Sequence, residues 1–212
     1  MNQTKQLIDI SNWNRQEHFK FFSQFEEPFF GLVVNLDVTQ AYLDAKASHK
    51  SFYLYYLYRA LKAANAITEF RYRIHEGKVY LYDEIHASCT VDRADHTFGF
   101  SYMAFHEEEQ LFIENAKRVI TEVRQSKSLF PSDTAENVLH ISALPWLDFS
   151  SISHARSYTF PDSCPKISFG KMTEKAGKKC MPVSIHVHHG LMDGYHVGLF
   201  VEKFQKMLNQ GS

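Results

Sequence analysis

The segment IHVHHGLMDGYHVG, residues 185 to 198, carries the pattern on which the predicted fold and function depend. Its first half alternates between apolar and polar side chains. Ile185 and Val187 therefore share one face of a predicted strand, and His186 and His188 share the other. Apolar residues at helical spacing begin at Val197. The segment is predicted to form a strand, a loop and then a helix.

The loop of this segment places two ionisable residues close together. His189 follows the strand directly, Asp193 stands four residues later, and Gly194 permits a sharp turn into the helix. Functional side chains are common on loops that follow strands. A histidine held in such a loop by a carboxylate or a carbonyl group is suited to act as a general base near neutral pH.

Three interpretations of this histidine cluster stay open on the residues alone. The histidines are ordinary strand and turn residues, some of them buried and hydrogen-bonded, or one of them is a general base. The third interpretation is a zinc site, because His186 and His188 could bind the metal together with His189 or His196. No carboxylate ligand stands at the usual spacing for such a site.

Length and composition restrict the class of protein. The chain has 212 residues, of which 44% are hydrophobic, 15% aromatic and 22% charged. These values predict one globular domain, residues 1–212, and exclude a disordered or collagen-like chain. The net charge of −1 gives no electrostatic argument for binding nucleic acid or an anionic membrane. No apolar run reaches about 18 residues, so no transmembrane helix is predicted.

The cysteines and the N-terminus indicate where the protein resides. Cys89, Cys164 and Cys180 are widely spaced, odd in number and form no CxxC pair. We interpret them as reduced, mostly buried thiols rather than as a disulfide framework. The N-terminal residues show no signal-peptide pattern. These features predict a cytoplasmic protein.

Predicted strands and helices are intermingled along the chain. This mixture predicts an α/β or α+β class with a mixed β-sheet flanked by helices. Ser11 and Ser51 are predicted helix N-caps, and His75–Lys78 is a predicted hairpin turn. The predicted helices are Ser11–Phe22, Thr39–Ser48, Phe52–Asn65, Glu107–Lys127 and Val197–Leu208. The predicted strands are Gly31–Val38, Phe70–Ile74, Val79–Tyr82, His86–Val91, Phe98–Phe105, Val138–Ala143, Ile167–Phe169 and Cys180–His188.

Three separated blocks of sequence resemble one family of enzymes. His188–Gly194 has the form HHxxxDG, the signature of the CoA-dependent acyltransferases, and the longer HVHHGLMDGYHVGLF is similar to the C-terminal motif of the type A, trimeric chloramphenicol acetyltransferases. Ile8–Phe19 resembles the N-terminal block of that family, and His140–Trp146 resembles the segment with its oxyanion-binding serine. The similarity runs from about residue 8 to about residue 208. It implies the two-layer sandwich of the CoA-dependent acyltransferases.

The resemblance implies roles for four residues. His189, the second histidine of the pair, would be the catalytic base, and Ser142 would donate a hydrogen bond to the oxyanion. Asp193 would pair with Arg15 and hold the loop. Acetyl-CoA would be the co-substrate, no metal would take part, and the acetyl group would pass directly to a hydroxyl of chloramphenicol in a ternary complex. The family forms homotrimers with active sites at the subunit interfaces, and its activity gives antibiotic resistance.

The resemblance also implies an acceptor pocket, which this sequence fills with a mixture of residue types. Glu26, His154 and Arg156 stand where the family has small or aliphatic residues. Because buried unpaired charge is costly, these three are expected to pair with one another or with a polar acceptor. Pro28 also matches a pocket position. The implied substrate-binding residues are Phe21, Phe22, Phe30, Phe98, Phe100, Ile152, His154 and Ser168.

The departures in the pocket leave more than one function open. The acceptor is chloramphenicol, or it is a different and more polar hydroxyl compound acetylated by the same fold. A third hypothesis, from another class of function, is a non-catalytic protein of this fold that binds a small molecule.

Overall fold

The computed structural model describes residues 4–132, 135–156 and 162–210. Within these residues, six strands form the main sheet in the order β2-β10-β8-β7-β5-β6, and β9 pairs with β10. The pairs β5–β7 and β7–β8 are parallel and the others are antiparallel, so the sheet is mixed, as predicted. The strands of this sheet are β2 Phe29–Asp37, β5 His86–Asp92, β6 Phe98–Met103, β7 Val138–Ala143, β8 Lys166–Phe169, β9 Thr173–Lys175 and β10 Lys178–His188.

A second, smaller sheet has the order β1-β4-β3. Its hairpin turns at Glu76 and Gly77, whose φ angles are +49° and +71°. Two successive residues with positive φ match the right-handed twist of the flanking strands, and glycine adopts this conformation without strain. The strands are β1 Lys5–Leu7, β3 Tyr72–His75 and β4 Lys78–Tyr82.

Five α-helices accompany the sheets in the described residues. Four of them, α2 to α5, pack on one face of the main sheet, where Ile141, Ile167 and Ile185 share a buried cluster with Leu57 of α3 and Phe204 of α5. Phe19 of α1 lies in a second cluster with Tyr72 and Val79 of the smaller sheet. None of these helices has both the length and the apolar character needed to cross a membrane. The helices are α1 Gln16–Phe22, α2 Thr39–Ala47, α3 Phe52–Asn65, α4 Glu109–Gln125 and α5 Gly194–Asn209.

The opposite face of the main sheet carries polar side chains in two rows across β10, β8 and β7. Residues in register on neighbouring strands present their side chains on the same face, and this face repeats every two residues along each strand. The rows therefore lie side by side. They are His186–Lys166–His140 and Ser184–Ser168–Ser142.

The predicted start of the first helix is wrong. Asp9, not Ser11, is the capping residue, and it accepts hydrogen bonds from the Ser11 backbone N–H (3.0 Å) and hydroxyl (2.6 Å). The turn that follows is a short 3₁₀ helix, Ile10–Asn12, and α1 begins only at Gln16. The Ser11 hydroxyl does not cap α1, because it donates its hydrogen bond to the aspartate two residues earlier.

Other boundaries differ by a few residues. Phe70 belongs to a 3₁₀ turn, Thr68–Arg71, that precedes β3, and α5 begins at Gly194 rather than Val197. The strands β1 and β9 have three residues each and were not predicted, because so short a segment shows no measurable alternation. The predicted helix Phe52–Asn65 with its Ser51 cap and the predicted strand Val138–Ala143 are confirmed to the residue.

The three cysteines are free thiols. Cys89 and Cys164 are buried, and Cys180 is partly buried. The prediction of mostly buried thiols is confirmed.

Candidate active site

The loop between β10 and α5 is held by the start of the helix. Asp193 is the N-cap residue of α5, and its carboxylate accepts a hydrogen bond from the Tyr195 backbone N–H at 3.0 Å. The His196 ring returns the contact, because its Nδ1 accepts from the Asp193 backbone N–H at 3.2 Å. This reciprocal cap satisfies backbone groups that a helix N-terminus otherwise leaves unpaired.

Arg15 ties the same loop to the N-terminal region across 178 residues of sequence. Its Nη1 donates to Asp193 Oδ2 at 2.9 Å, and its Nη2 donates to the His189 carbonyl oxygen at 3.2 Å. The Arg15 side chain is only 9% exposed, whereas that of Asp193 is 36% exposed. Burial acts to raise the pKa of Asp193, but the hydrogen bond and charge of Arg15, with the hydrogen bond from the Tyr195 backbone, outweigh it and lower the pKa. The structure therefore places the predicted pair together around the backbone of His189.

His189 lies among aromatic side chains. Its ring stacks on Phe22, with centroids 4.0 Å apart and planes 7° apart, and lies 4.6 Å from the Phe30 ring. Its backbone N–H donates to the Pro28 carbonyl oxygen at 2.8 Å. No group among the described residues hydrogen-bonds to its buried Nδ1. The imidazole is thus oriented by packing and backbone contacts.

The neighbouring histidine has a different environment. His188 is buried, and its Nδ1 accepts a hydrogen bond from the Gly190 backbone N–H at 3.1 Å. Burial, with the nearby Arg156 charge, lowers the pKa of His188 to about 4. It is therefore neutral at physiological pH and stabilises the loop.

The surroundings of the other histidines do not favour the zinc interpretation. The His186 ring lies over the backbone of Gly31 on the paired strand, where a Cβ would stand 2.0 Å from its Cδ2. The His196 ring is part of the helix cap, and its Nε2 lies 3.5 Å from Glu69 Oε1. These contacts, like those of His188, account for the three histidines without a metal.

Ser142 is distant from His189 within one chain. It lies on β7 and is in register with Ser168 on β8, which is in register with Ser184 on β10. His189 is five residues beyond Ser184, so the two side chains are separated by about 16 Å along the strands and about 10 Å across them. The chain therefore does not bring Ser142 and His189 into contact.

The predicted substrate-binding residues fall into groups, some beside His189 and others nearer Ser142. Phe21 and Phe22 form a cluster with Phe25 beside His189, with ring centroids 5.0 to 5.4 Å apart, and Phe30 adjoins it. Phe98 and Phe100 lie on the edge strand β6, and Ser168 is buried in the same row as Ser142. Ile152 and His154 lie, partly buried, in the segment before β8.

Glu26, His154 and Arg156 do not pair with one another in the described residues, so that part of the expectation is wrong, and contact with a polar acceptor stays a prediction. Arg156 Nε lies 3.0 Å from the carboxylate of Glu27, and its guanidinium lies 3.4 Å above the Phe29 ring. The His154 ring packs edge-on against His186 with centroids 4.8 Å apart. Glu26 is exposed. The partners differ from those predicted because the turn before β2 directs Glu27 rather than Glu26 toward this segment.

Two residues around the site were not predicted from the sequence. Phe25 extends the aromatic cluster beside His189, and Glu69 lies next to His196. The spacing of the phenylalanines between Phe21 and Phe25 is a local signal for the first of these. No local signal exists for Glu69, because it is 127 residues away from His196 in the sequence.

Comparison with known proteins agrees with this architecture. Residues 1–205 match the family model for chloramphenicol acetyltransferase. The chain is 30% identical over 211 residues to chloramphenicol acetyltransferase 3 of Escherichia coli, with 99% of this chain and 98% of the relative covered. It is 27% identical over 206 residues to the chloramphenicol acetyltransferase of Proteus mirabilis, with 97% and 95% covered.

Solved structures extend the comparison to the fold. A chloramphenicol acetyltransferase structure superposes with a TM-score of 0.91 at 33% identity, covering 97% of this chain and 100% of the other. A probable dihydrolipoamide acetyltransferase from Listeria monocytogenes superposes with a TM-score of 0.67 at 11% identity, covering 92% and 90%, and shares the fold alone. The mixed sheet with its flanking helices is thus the fold of CoA-dependent acyltransferases. The chain belongs to the chloramphenicol acetyltransferase family.

Proposed function

We propose that this protein is an acetyl-CoA-dependent O-acetyltransferase, acting as a single domain, and that chloramphenicol is its acceptor. The observation that carries the proposal is the arrangement of Arg15, Asp193 and His189, which holds one imidazole at the end of a strand. The membership of the chain in the family supports the same reaction. Free thiols and the use of acetyl-CoA support a location in the cytoplasm.

The proposed mechanism assigns the proton transfer to His189. A neutral imidazole takes the proton of the acceptor hydroxyl as its oxygen attacks the thioester carbonyl carbon of acetyl-CoA. Ser142 donates a hydrogen bond to the oxyanion of the tetrahedral intermediate. The intermediate collapses to the acetyl ester, and the charged His189 returns its proton to the CoA thiolate. No acyl-enzyme forms, so both substrates are bound together and proximity contributes to the rate.

The separation of Ser142 and His189 supports an active site built from two copies of the chain. Phe21 is 56% exposed and Phe25 is 46% exposed, beside the His189 ring. Exposed aromatic clusters of this kind are typical of interaction surfaces. We propose a homotrimer in which this surface meets the polar face of the sheet of a neighbouring subunit, so that His189 and Ser142 come from different chains.

A thiol-release assay tests the proposed reaction. Purified protein with acetyl-CoA and a thiol reagent is expected to release CoA when chloramphenicol is added, and the His189→Ala variant is expected to release it about 10²–10⁴-fold more slowly. Release with a more polar hydroxyl compound but not with chloramphenicol would identify the second acceptor hypothesis. Ligand binding without release from any acceptor would contradict the proposed activity and favour a binding protein.

The Asp193→Asn variant is expected to lose stability and activity together. The substitution removes a charge-assisted hydrogen bond and leaves Arg15 buried without its counter-charge, which costs about 1.5–3 kcal/mol in the free energy of unfolding. Because Asp193 positions the loop rather than transferring protons, the pH dependence of kcat is expected to keep its shape. Thermal unfolding and a pH–rate profile measure the two effects.

An exposed ion pair provides the matched control for this variant. Glu17 pairs with Lys20 at 3.4 Å, and its side chain is 83% exposed. Glu17→Gln is expected to change the free energy of unfolding by less than about 0.5 kcal/mol. If Asp193→Asn kept its melting temperature but lost the part of its pH–rate profile that reports proton transfer, the positioning role of Asp193 would be contradicted.

A further inference from the structure

A carboxylate from a distant part of the chain lies beside the helix cap of α5. Glu69 belongs to the 3₁₀ turn Thr68–Arg71, and its Oε1 lies 3.5 Å from Nε2 of His196. The two side chains are only 25% and 14% exposed, so water and salt screen their interaction weakly. This contact is separate from the Arg15–Asp193 pair, because it reaches the loop through the His196 ring.

Aromatic packing fixes this carboxylate in place. Phe70, the residue after Glu69, is fully buried, and its ring stacks on Phe200 of α5 with centroids 4.9 Å apart and planes 25° apart. Phe200 and His196 are four residues apart on the helix and therefore lie on the same face. The stacking of the two phenylalanines thus brings Glu69 to the ring of His196.

The hydrogen bonds of the His196 ring assign its tautomer. Nδ1 accepts from the Asp193 backbone N–H at 3.2 Å, so in the neutral ring the proton is on Nε2, the nitrogen next to Glu69. The Asp193 carboxylate oxygen Oδ1 also lies 3.0 Å from Nδ1. A proton on Nδ1 would remove the acceptor of the backbone N–H and would compete for Oδ1 with the Tyr195 N–H. The position of one proton therefore determines the conformation of the cap.

We infer that Glu69 is a positioning residue for the reaction of His189. Its negative charge favours the His196 tautomer with the proton on Nε2, and this keeps Nδ1 as the acceptor for the Asp193 backbone N–H. Asp193 in turn contacts Arg15, which also donates to the His189 carbonyl oxygen. Glu69 therefore acts through the loop, as a positioning residue rather than a catalytic one. The inference rests on the proposed acetyltransferase function.

Two substitutions of Glu69 test this role. Glu69→Leu removes the charge and both oxygens, whereas Glu69→Gln keeps one oxygen that can face the Nε2–H. Glu107→Leu is the matched control, because the Glu107 carboxylate also lies 3.5 Å from a nitrogen, Nζ of Lys62, but its side chain is 81% exposed. Steady-state kinetics are measured below the melting temperature of each variant. Hydrogen exchange of peptides that cover residues 185–198 reports the loop without requiring turnover.

Glu69→Leu is expected to lower kcat by about 10-fold to 100-fold, because a displacement of about 1 Å at a catalytic group costs up to about 100-fold in rate. The KM values for both substrates are expected to stay within about twofold of the parent, since a positioning residue changes the reacting geometry rather than substrate binding. Glu69→Gln is expected to recover part of kcat, and Glu107→Leu is expected to keep the parental value. The loop is expected to exchange faster in Glu69→Leu than in the parent.

A folded Glu69→Leu variant with parental kcat, or with unchanged exchange in the loop, would overturn the inference. A lower melting temperature with parental kcat would likewise limit Glu69 to a structural role. If Glu69→Leu does not fold, Glu69→Gln is compared with the parent in the same way, and parental kcat in that variant would overturn the inference. Faster loop exchange in Glu69→Leu, together with a parent protein that acetylates no acceptor, would support the contact that holds the loop but refute the proposed reaction.

Discussion

Substitution of His189 by alanine is expected to lower kcat/KM for acetyl transfer by about 10²–10⁴-fold, the usual contribution of a general base. The ring is held by stacking on Phe22 and by its backbone contacts to Pro28 and Arg15. Removing the ring leaves those backbone contacts in place, so the loop is expected to keep its conformation. Steady-state kinetics and thermal unfolding of the variant measure both effects.

The adjacent histidine is the matched control for this prediction. His188→Asn is expected to destabilise the protein, because Nδ1 of the buried His188 ring accepts a hydrogen bond from the Gly190 backbone N–H. The surviving folded enzyme is expected to keep the pH dependence of a general base, since His189 is intact. The general-base assignment would be wrong if His189→Ala retained activity within tenfold of the parent while His188→Asn removed the part of the pH–rate profile that reports the general base.

Substitution of Ser142 by alanine is expected to lower kcat by about 10²–10³-fold, the typical cost of losing one oxyanion donor. The effect is expected in kcat rather than in acceptor binding, because the negative charge forms only during the reaction. Ser184→Ala is the matched control. Ser184 lies in the same row, is fully buried, and its hydroxyl has no hydrogen-bond partner among the described residues. That variant is expected to keep nearly full activity.

A mixing experiment tests whether the two residues act across subunits. Neither His189→Ala nor Ser142→Ala can form a complete site by itself. When the two variants are co-refolded in equal amounts, about one quarter of the sites in a random trimer would combine an intact His189 with an intact Ser142. Recovery of about that fraction of parental activity is expected. No recovery from a mixture that assembles would refute a site shared between chains.

The sequence predicted the fold class and most of the elements because their local signals are strong. The α3 helix has a serine cap and a long apolar run, and β7 alternates clearly, so both were predicted to the residue. The N-terminal region was harder, because Ser11 has the chemistry of a cap but its hydroxyl is taken by Asp9. Competition of this kind depends on side-chain geometry that a pattern of residue types does not contain.

The candidate site also has a part that the sequence indicated and a part that only the tertiary structure decided. The motif His188–Gly194 by itself indicated an imidazole on a loop with a nearby carboxylate, and its resemblance to a family indicated Arg15 and Ser142. Only the tertiary structure decided that Arg15 also contacts the His189 carbonyl oxygen, since these residues are 174 positions apart. Only the strand register decided that His140 and Lys166 share a face with Ser142 and that Ser142 is far from His189. The reason is physical: short-range periodicity sets which face a side chain occupies, but the pairing of distant strands sets which side chains become neighbours.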